Sequence, residues 1–327
     1  MLSRTMAAAV AAAVIALTAP AGHAEDSLAV QIVDAMNKIY GSHPGFRANH
    51  AKGIVAEGTF APAPEATKLS VSPLFTSGKV PITVRFSDGG GLPTVPDVSP
   101  GANPHGMAIK FHLPSGDTDM VTNSLKTFPV ATGEDFRDLN LAVAASPPGA
   151  AKPTALETFI ASHPSVPKAL GAVGTPASFG DEEYHGVNAF VFTNAAGNKQ
   201  AVRYVLSPEK VVHLSPEAAA KQVPDALVAE LPARLTKGPV TFHLKAQLAA
   251  LGDPTGDATQ AWPDDRPVVP LGVLTLTKVD PDSAAAEKKL LFLPTNVTDG
   301  IAPSDDPLIL LRTEAYIISF ARRSAAK

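Results

Sequence analysis

The chain contains no cysteine among its 327 residues, so it can form no disulfide bond and offers no thiolate to a metal. It also lacks an excess of positive charge, because 27 Lys and Arg residues stand against 31 Asp and Glu residues. The resulting net charge of −4 argues against a nucleic-acid-binding surface, which requires clustered basic side chains. The absence of oxidisable thiols suits a protein that meets peroxide.

Several common catalytic patterns are also missing. No His-Glu-x-x-His or other spaced metal-ligand set is present, and no Gly-x-Ser-x-Gly nucleophile motif occurs. The Gly89-Gly90-Gly91 run is not followed by a lysine or by a helix start, so it does not predict a phosphate-binding loop. These absences argue against a zinc protease, a serine hydrolase of the common type and a nucleotide-binding protein.

The N-terminus resembles a secretory signal peptide. Arg4 supplies the positive charge, residues 6–17 form a short apolar run rich in Ala and Val, and Gly22-His23-Ala24 fits a cleavage site. We therefore predict a signal peptide over residues 1–24, one domain over residues 25–327 and a periplasmic location. An uncleaved anchor is the alternative, although no later apolar run is long enough to cross a membrane.

The remaining chain has an ordinary globular composition, with 45% hydrophobic and 18% charged residues. Alternating apolar and polar residues predict strands over residues 54–60, 80–87, 106–113, 118–121, 186–192, 199–206, 240–248 and 268–278. Helical spacing predicts a first helix that ends at Gly41, and further helices over residues 134–145, 154–161, 215–221, 225–231, 284–288 and 306–323. Strands without regular strand–helix repeats predict an α+β protein built on an antiparallel barrel or sandwich.

The last helix carries a possible metal ligand. Arg312 and Tyr316 are four residues apart, so they share one helix face. Keeping a tyrosine ionised at neutral pH costs about 4 kcal/mol, which a ferric heme iron and a guanidinium together could offset. The alternative is a core helix with a half-buried tyrosine and an arginine that reaches solvent.

Other candidate residues have simple structural explanations when each is taken alone. His50 could be a structural histidine, Ser87 a hydroxyl at a strand end, and Asn123 a turn residue. Arg47 and Arg85 could be surface charges. Their order along the chain is more informative than any one of them.

That order resembles the catalase superfamily, and in particular its catalase-related peroxidase subgroup. The resemblance extends from about Gly45 to Arg323. It implies a roughly eight-stranded antiparallel β-barrel with inserted helices and a C-terminal proximal helix, without a further helical or flavodoxin-like domain. The matching segments are Arg47-x-x-His50-Ala51-Lys52-Gly53, Val84-Arg85-Phe86-Ser87, His105-Gly106-Met107-Ala108-Ile109-Lys110-Phe111, Asp119-Met120-Val121-x-Asn123, Trp262-Pro263, Phe292-x-Pro294-x-Asn296 and Arg312-x-x-x-Tyr316.

The resemblance also implies roles for individual residues around heme b with ferric iron. Tyr316 is the expected iron ligand, with Arg312 stabilising its phenolate. His50 is the expected distal acid–base group, oriented by Ser87, and Asn123 the expected hydrogen-bond donor. The remaining expected cofactor contacts are the heme-propionate arginines and a distal aromatic, namely Arg47, Arg85, Arg323 and Phe128.

The implied function is an exported peroxidase that reduces hydrogen peroxide or organic hydroperoxides with a small organic electron donor. Asn49, Thr122 and Ile317 depart from the pattern of large catalases, and we expect weak or absent catalase activity. A short N-terminal arm predicts a monomer or homodimer. The alternatives are a hydroperoxide isomerase of the allene oxide synthase type and a periplasmic heme-binding protein without turnover.

Overall fold

The computed structural model describes residues 26–326, so the predicted signal peptide lies outside the described residues. Ten strands form one antiparallel sheet. Their bounds are β1 Gly53–Pro62, β2 Val80–Ser87, β3 Gly106–Leu113, β4 Gly116–Asn123, β5 Tyr184–His185, β6 Phe190–Thr193, β7 Lys199–Pro208, β8 Val240–Leu248, β9 Val268–Val279 and β10 Ile301–Pro303.

The helices lie before, between and after these strands. Their bounds are α1 Leu28–Tyr40, α2 Ala66–Leu69, α3 Pro73–Thr76, α4 Gly133–Ala144, α5 Ala155–Ser162, α6 Ser165–Leu170, α7 Pro216–Ala219, α8 Ala226–Leu235, α9 Ser283–Lys289 and α10 Pro307–Ala325, with short 3₁₀ turns at Pro100–Ala102 and Phe179–Asp181. Within residues 26–326, no helix combines the length and apolar character that a membrane crossing requires.

The sheet closes into an antiparallel barrel of eight strands. Strands β1 to β5 follow one another, and β7, β8 and β9 complete the ring because β9 pairs with β1 and β8 pairs with β7. Strands β6 and β10 extend the sheet beside β7, outside the ring. The eight-stranded barrel predicted from the sequence is therefore confirmed.

The C-terminal half of β2 is buried on both faces, and this positions the candidate site. Phe86 is fully buried in the barrel core, where its ring lies 5.4 Å from that of Phe179 and 6.0 Å from that of Phe242. Arg85 and Ser87 point to the opposite face and are only 4% exposed. A strand with polar side chains buried on its second face needs a covering layer, which the helices provide.

Helices α1, α4 and α10 form that layer. Ser27 caps α1 by accepting a hydrogen bond from the N–H of Val30, and Asp306 caps α10 by accepting one from the N–H of Leu308. Apolar residues of α1 and α10 pack together in a small buried cluster that contains Ala29, Val33 and Ala315. At Gly133 in α4 an added Cβ would lie 1.9 Å from Cδ2 of Leu311, so a side chain there would require the Leu311 side chain of α10 to move.

Two local predictions were wrong. The strand predicted over residues 186–192 starts only at Phe190, because β6 pairs with β7 from there to Thr193 and the separate strand β5 ends at His185. Helix α8 continues past Pro232 to Leu235 rather than ending near residue 231. Arg234 in its last turn donates to Asp181 at 2.8 and 2.6 Å and to Glu230 at 2.7 Å, which fixes the end of the helix.

We expect Phe86→Ala to destabilise the barrel by about 3–5 kcal/mol, because it removes a fully buried ring from an aromatic cluster. Urea unfolding followed by circular dichroism measures the change. The matched control is Leu251→Ala at a fully exposed loop position, where we expect a change within about 0.5 kcal/mol. A loss below about 1 kcal/mol for Phe86→Ala would contradict this account of the core.

Candidate active site

One pocket between the barrel wall and the helical layer contains all the residues that the sequence singled out. Strands β2, β3 and β4 form one wall, and α1, α10 and the segment over residues 290–292 form the others. The predicted site residues that line it are Arg47, His50, Arg85, Ser87, Asn123, Phe128, Arg312, Tyr316 and Arg323.

His50 is held by the end of β2 and the start of β3. Its backbone has a φ of 54°, an uncommon conformation for a residue with a side chain. The Ser87 hydroxyl lies 3.1 Å from Nδ1 of the imidazole. An added Cβ at Gly106 would lie 3.1 Å from the same nitrogen, so the absence of a side chain there makes room for the ring.

The electrostatic surroundings keep His50 neutral. Burial is the largest cause that lowers its pKa, the charge of Arg85 adds to it, and the resulting pKa is about 3. The imidazole is therefore uncharged throughout the physiological range and can accept a proton from a bound molecule.

Asn123 lies at the end of β4 in the same pocket. Its Oδ1 accepts a hydrogen bond of 2.8 Å from the N–H of Leu125, and this leaves the NH₂ group as the donor. Phe128 packs against Phe136, with ring centroids 5.1 Å apart, and both rings line the pocket. The distal candidates thus combine a neutral base, an amide donor and an apolar wall.

Tyr316 and Arg312 contact each other directly on α10. The Nε and Nη2 atoms of Arg312 donate to the Tyr316 hydroxyl oxygen at 3.2 and 3.0 Å. Two donors of one guanidinium group thus converge on the phenolic oxygen. The guanidinium group of Arg312 is therefore directed at the Tyr316 hydroxyl.

Two buried residues that the sequence analysis did not select hold Arg312 in place. Nη1 of Arg312 donates to Oδ1 of Asn188, and Nδ2 of Asn188 donates to Oδ2 of Asp306 at 2.7 Å. Asn188 and Asp306 are 2% and 3% exposed. Asp306 was identified only as part of the acidic start of α10, and nothing in the sequence around Asn188 marks a contact with a residue 124 positions away.

Three arginines meet at one end of the pocket around a single carboxylate. Arg85 donates to Oε2 of Glu287 at 2.9 Å, and Arg47 lies 3.5 Å from the same oxygen. Burial, followed by the charge of Arg85, lowers the pKa of Arg323 to about 10, and burial also lowers that of Arg47. Glu287, a residue that the sequence analysis missed, thus forms ion pairs with Arg47 and Arg85, while Arg323 donates a hydrogen bond to the carbonyl oxygen of Leu290.

The arginine cluster has capacity for further anions. The Nε atoms of Arg85 and Arg323 are buried and have no hydrogen-bond partner within residues 26–326. A buried guanidinium donor without a partner is costly, and an anionic ligand with carboxylates would satisfy it. The cluster therefore fits a ligand that carries two carboxylates, as the propionates of heme do.

Two of the departures from the catalase pattern have structural roles. The Thr122 hydroxyl donates to the carbonyl oxygen of Met107 at 2.7 Å, within the β3–β4 pair. The Ser319 hydroxyl of α10 accepts a hydrogen bond of 3.2 Å from the N–H of Ala48, two residues before His50. Asn49 lines the pocket, so the space beside the distal base is partly polar.

Comparison with known proteins identifies the family. The family model described as catalase matches residues 29–326. This chain belongs to the catalase family. A catalase-related peroxidase of Mycolicibacterium paratuberculosis is 38% identical over 300 residues, covering 90% of this chain and 94% of the relative. A protein of the same description from Synechococcus elongatus is 32% identical and covers 90% and 88% of the two chains.

Solved catalases share the fold. A fungal catalase has a TM-score of 0.77 and 23% identity, and covers 86% of this chain and 60% of its own. Catalase A from Saccharomyces cerevisiae has a TM-score of 0.75 and 21% identity, with 86% and 62% covered. The relatives described as catalase-related peroxidases confirm the resemblance to that subgroup. Members of the family generally bind heme.

We expect His50 to stay neutral between about pH 5 and pH 8, because its pKa lies near 3. Nitrogen NMR of heme-free protein labelled with ¹⁵N-histidine measures this, with His50→Gln as the variant that assigns the signal. A His50 signal that titrates near pH 6.5 would contradict the buried, Ser87-bonded geometry.

Proposed function

We propose that this protein is an exported heme peroxidase of the catalase family. It uses heme b to reduce hydrogen peroxide or organic hydroperoxides with a small organic electron donor, and its catalase activity is weak or absent. The relatives described as catalase-related peroxidases identify the chain as an oxidoreductase acting on peroxide. The predicted signal peptide is the reason for proposing export to the periplasm, where the protein acts as a monomer or homodimer.

The proposal rests on one observation: two ring side chains, Tyr316 and His50, line the same pocket. Tyr316 comes from α10 with two guanidinium donors on its oxygen, and His50 comes from the segment before β1 with a hydroxyl on its Nδ1. Both line the same pocket. A phenolate that binds ferric iron and a neutral base in one site are what peroxide chemistry on heme requires.

The residues present fit heme. Tyr316 would be the iron ligand, and Arg47, Arg85 and Arg323 would hold the propionates, two of them through buried Nε atoms that have no other partner within residues 26–326. Phe128 would lie against the ring. When bound, heme supplies the iron that accepts the peroxide oxygen and exchanges electrons with the donor.

The distal residues would transfer the protons of the reaction. Reduction of a hydroperoxide consumes two protons and two electrons and gives an alcohol and water, and the donor supplies the electrons. Neutral His50 accepts the proton of one peroxide oxygen and returns it to the departing oxygen. The Asn123 NH₂ group donates to that oxygen as negative charge develops on it. Ser87 keeps the imidazole oriented for both transfers.

Tyr316→Phe should lose the heme absorption spectrum of the wild type, because the anionic ligand is removed while the ring remains. The control is Tyr40→Phe, at a tyrosine that does not line the pocket. We expect its spectrum to match the wild type. Retention of the wild-type spectrum by Tyr316→Phe would rule out this ligand.

His50→Ala should retain heme but lose peroxide turnover by about 100-fold or more, because the acid–base group is gone. His112→Ala, at the far end of β3, is the control and should keep its activity. Turnover is followed by oxidation of a phenolic donor, and released oxygen is measured in parallel. Consumption of a lipid hydroperoxide without any donor would instead support an isomerase.

A further inference from the structure

A buried carboxylate without hydrogen-bond partners lies directly behind the distal site. Asp88 follows Ser87 at the end of β2 and is fully buried. Neither of its carboxylate oxygens has a hydrogen-bond partner within residues 26–326. Its backbone N–H donates to the carbonyl oxygen of Lys52 at 3.0 Å, which fixes the residue just beyond the strand end. A buried carboxylate in such a position is costly when ionised, so its protonation state is open to change.

One titratable side chain beside Asp88 is the buried ring of His105. Its Nε2 lies 3.4 Å from Oδ1 of Asp88 and donates a hydrogen bond of 3.0 Å to the carbonyl oxygen of Asp97. A carbonyl oxygen only accepts, so Nε2 carries a proton in either state of the ring. Nδ1 of the same ring is buried and has no partner within the described chain. The Nε2 proton is thus directed at the Asp97 carbonyl oxygen, and the Asp88 carboxylate lies beside it without a hydrogen bond of its own within the described residues.

The pair is attached to the distal base through two adjacent strands. Ser87 of β2 pairs with Gly106 of β3, so Asp88 and His105 are the next residues on the two strands. Ser87 contacts the His50 ring through its hydroxyl, and Gly106 lies against the same ring. Asp88 directly follows Ser87 in the sequence, and its neighbour His105 directly precedes Gly106. A change of charge at Asp88 thus occurs next to both residues that hold the imidazole.

The electrostatic surroundings of Asp88 favour its neutral form near neutrality. Burial raises the pKa of Asp88 to about 7, the neighbouring His105 opposes this shift, and Asp97 adds to it. The positive charge of Lys52 forms ion pairs with Asp97 and, at 2.7 Å, with Asp225. The titratable and charged groups that face the pair are His50, Lys52, Asp97, Glu182 and Tyr184.

We propose that Asp88 is a proton-exchanging positioning residue for the distal site, neutral in mildly acidic solution and anionic in mildly alkaline solution, and that its charge controls how strongly His50 attracts a peroxide proton. On ionisation the proton passes to solvent and no covalent bond changes. The anion behind the ring stabilises the protonated imidazole that forms when peroxide gives up its proton. The catalytic part of this inference rests on the proposed peroxidase function.

The first test measures stability and needs no turnover. A carboxyl whose pKa rises from 3.8 to about 7 on folding reduces stability as the pH rises through that interval. We therefore expect the melting temperature of the heme-loaded wild type to fall relative to Asp88→Asn between about pH 5 and pH 8, with the variant several degrees more stable at the upper end. A variant that is less stable than the wild type at about pH 8 would show that Asp88 is the anion of a fixed ion pair, and would overturn the proposal.

The second test measures the pH profile of the peroxide reaction. The wild-type rate constant should rise several-fold between about pH 6 and pH 8, and Asp88→Asn should show a flat profile over the same range. The matched control is Asp117→Asn, at the other end of the β3–β4 hairpin. Asp117 forms an exposed pair with His112, with 2.9 Å between Oδ1 and Nδ1, and the variant removes its carboxylate. It should keep the wild-type profile.

An Asp88→Asn variant that keeps the wild-type slope would overturn the role of Asp88 at the distal site. A failure of the proposed peroxidase function can be told apart from a failure of the role of Asp88. If the wild type lacks peroxide turnover at every pH, the proposed function fails, while the stability comparison still reports whether Asp88 exchanges its proton near neutrality.

Discussion

The contact between Arg312 and Tyr316 is the interaction on which the site depends. A phenol is a poor ligand for iron until it loses its proton, and Arg312 places two guanidinium donors on the Tyr316 oxygen. Arg312 can do this because Asn188 and Asp306 fix its other end in a buried chain of hydrogen bonds. Asp306 also caps α10, so one side chain both starts the helix and orients its functional face.

Strand β2 links this site to the barrel. Its Phe86 belongs to the aromatic core, while Arg85 and Ser87 belong to the opposite, polar side. The position of the distal base is therefore set by a strand that cannot shift without disturbing the core. The end of this strand therefore carries three residues of interest close together: Arg85, which we propose to bind a propionate, Ser87, which contacts His50, and the buried acid Asp88 that follows.

The sequence predicted the elements whose patterns are local. Alternation identified the strands that close the barrel, and the spacing of Arg312 and Tyr316 identified the functional face of α10. It could not predict that Glu287 meets the arginines or that Asn188 holds Arg312, because each contact joins residues more than a hundred positions apart. Asp88 likewise looked like the start of a loop, and only the pairing of β2 with β3 shows it beside His105.

Resonance Raman spectroscopy of the purified heme-loaded protein tests the central claim most directly. Excitation into a tyrosinate-to-iron charge-transfer band should enhance phenolate ring vibrations, and these should shift when the protein is grown with ring-deuterated tyrosine. The account predicts such isotope-sensitive bands in the wild type. A spectrum that shows a histidine-ligated or ligand-free heme iron, without tyrosinate bands, would contradict it.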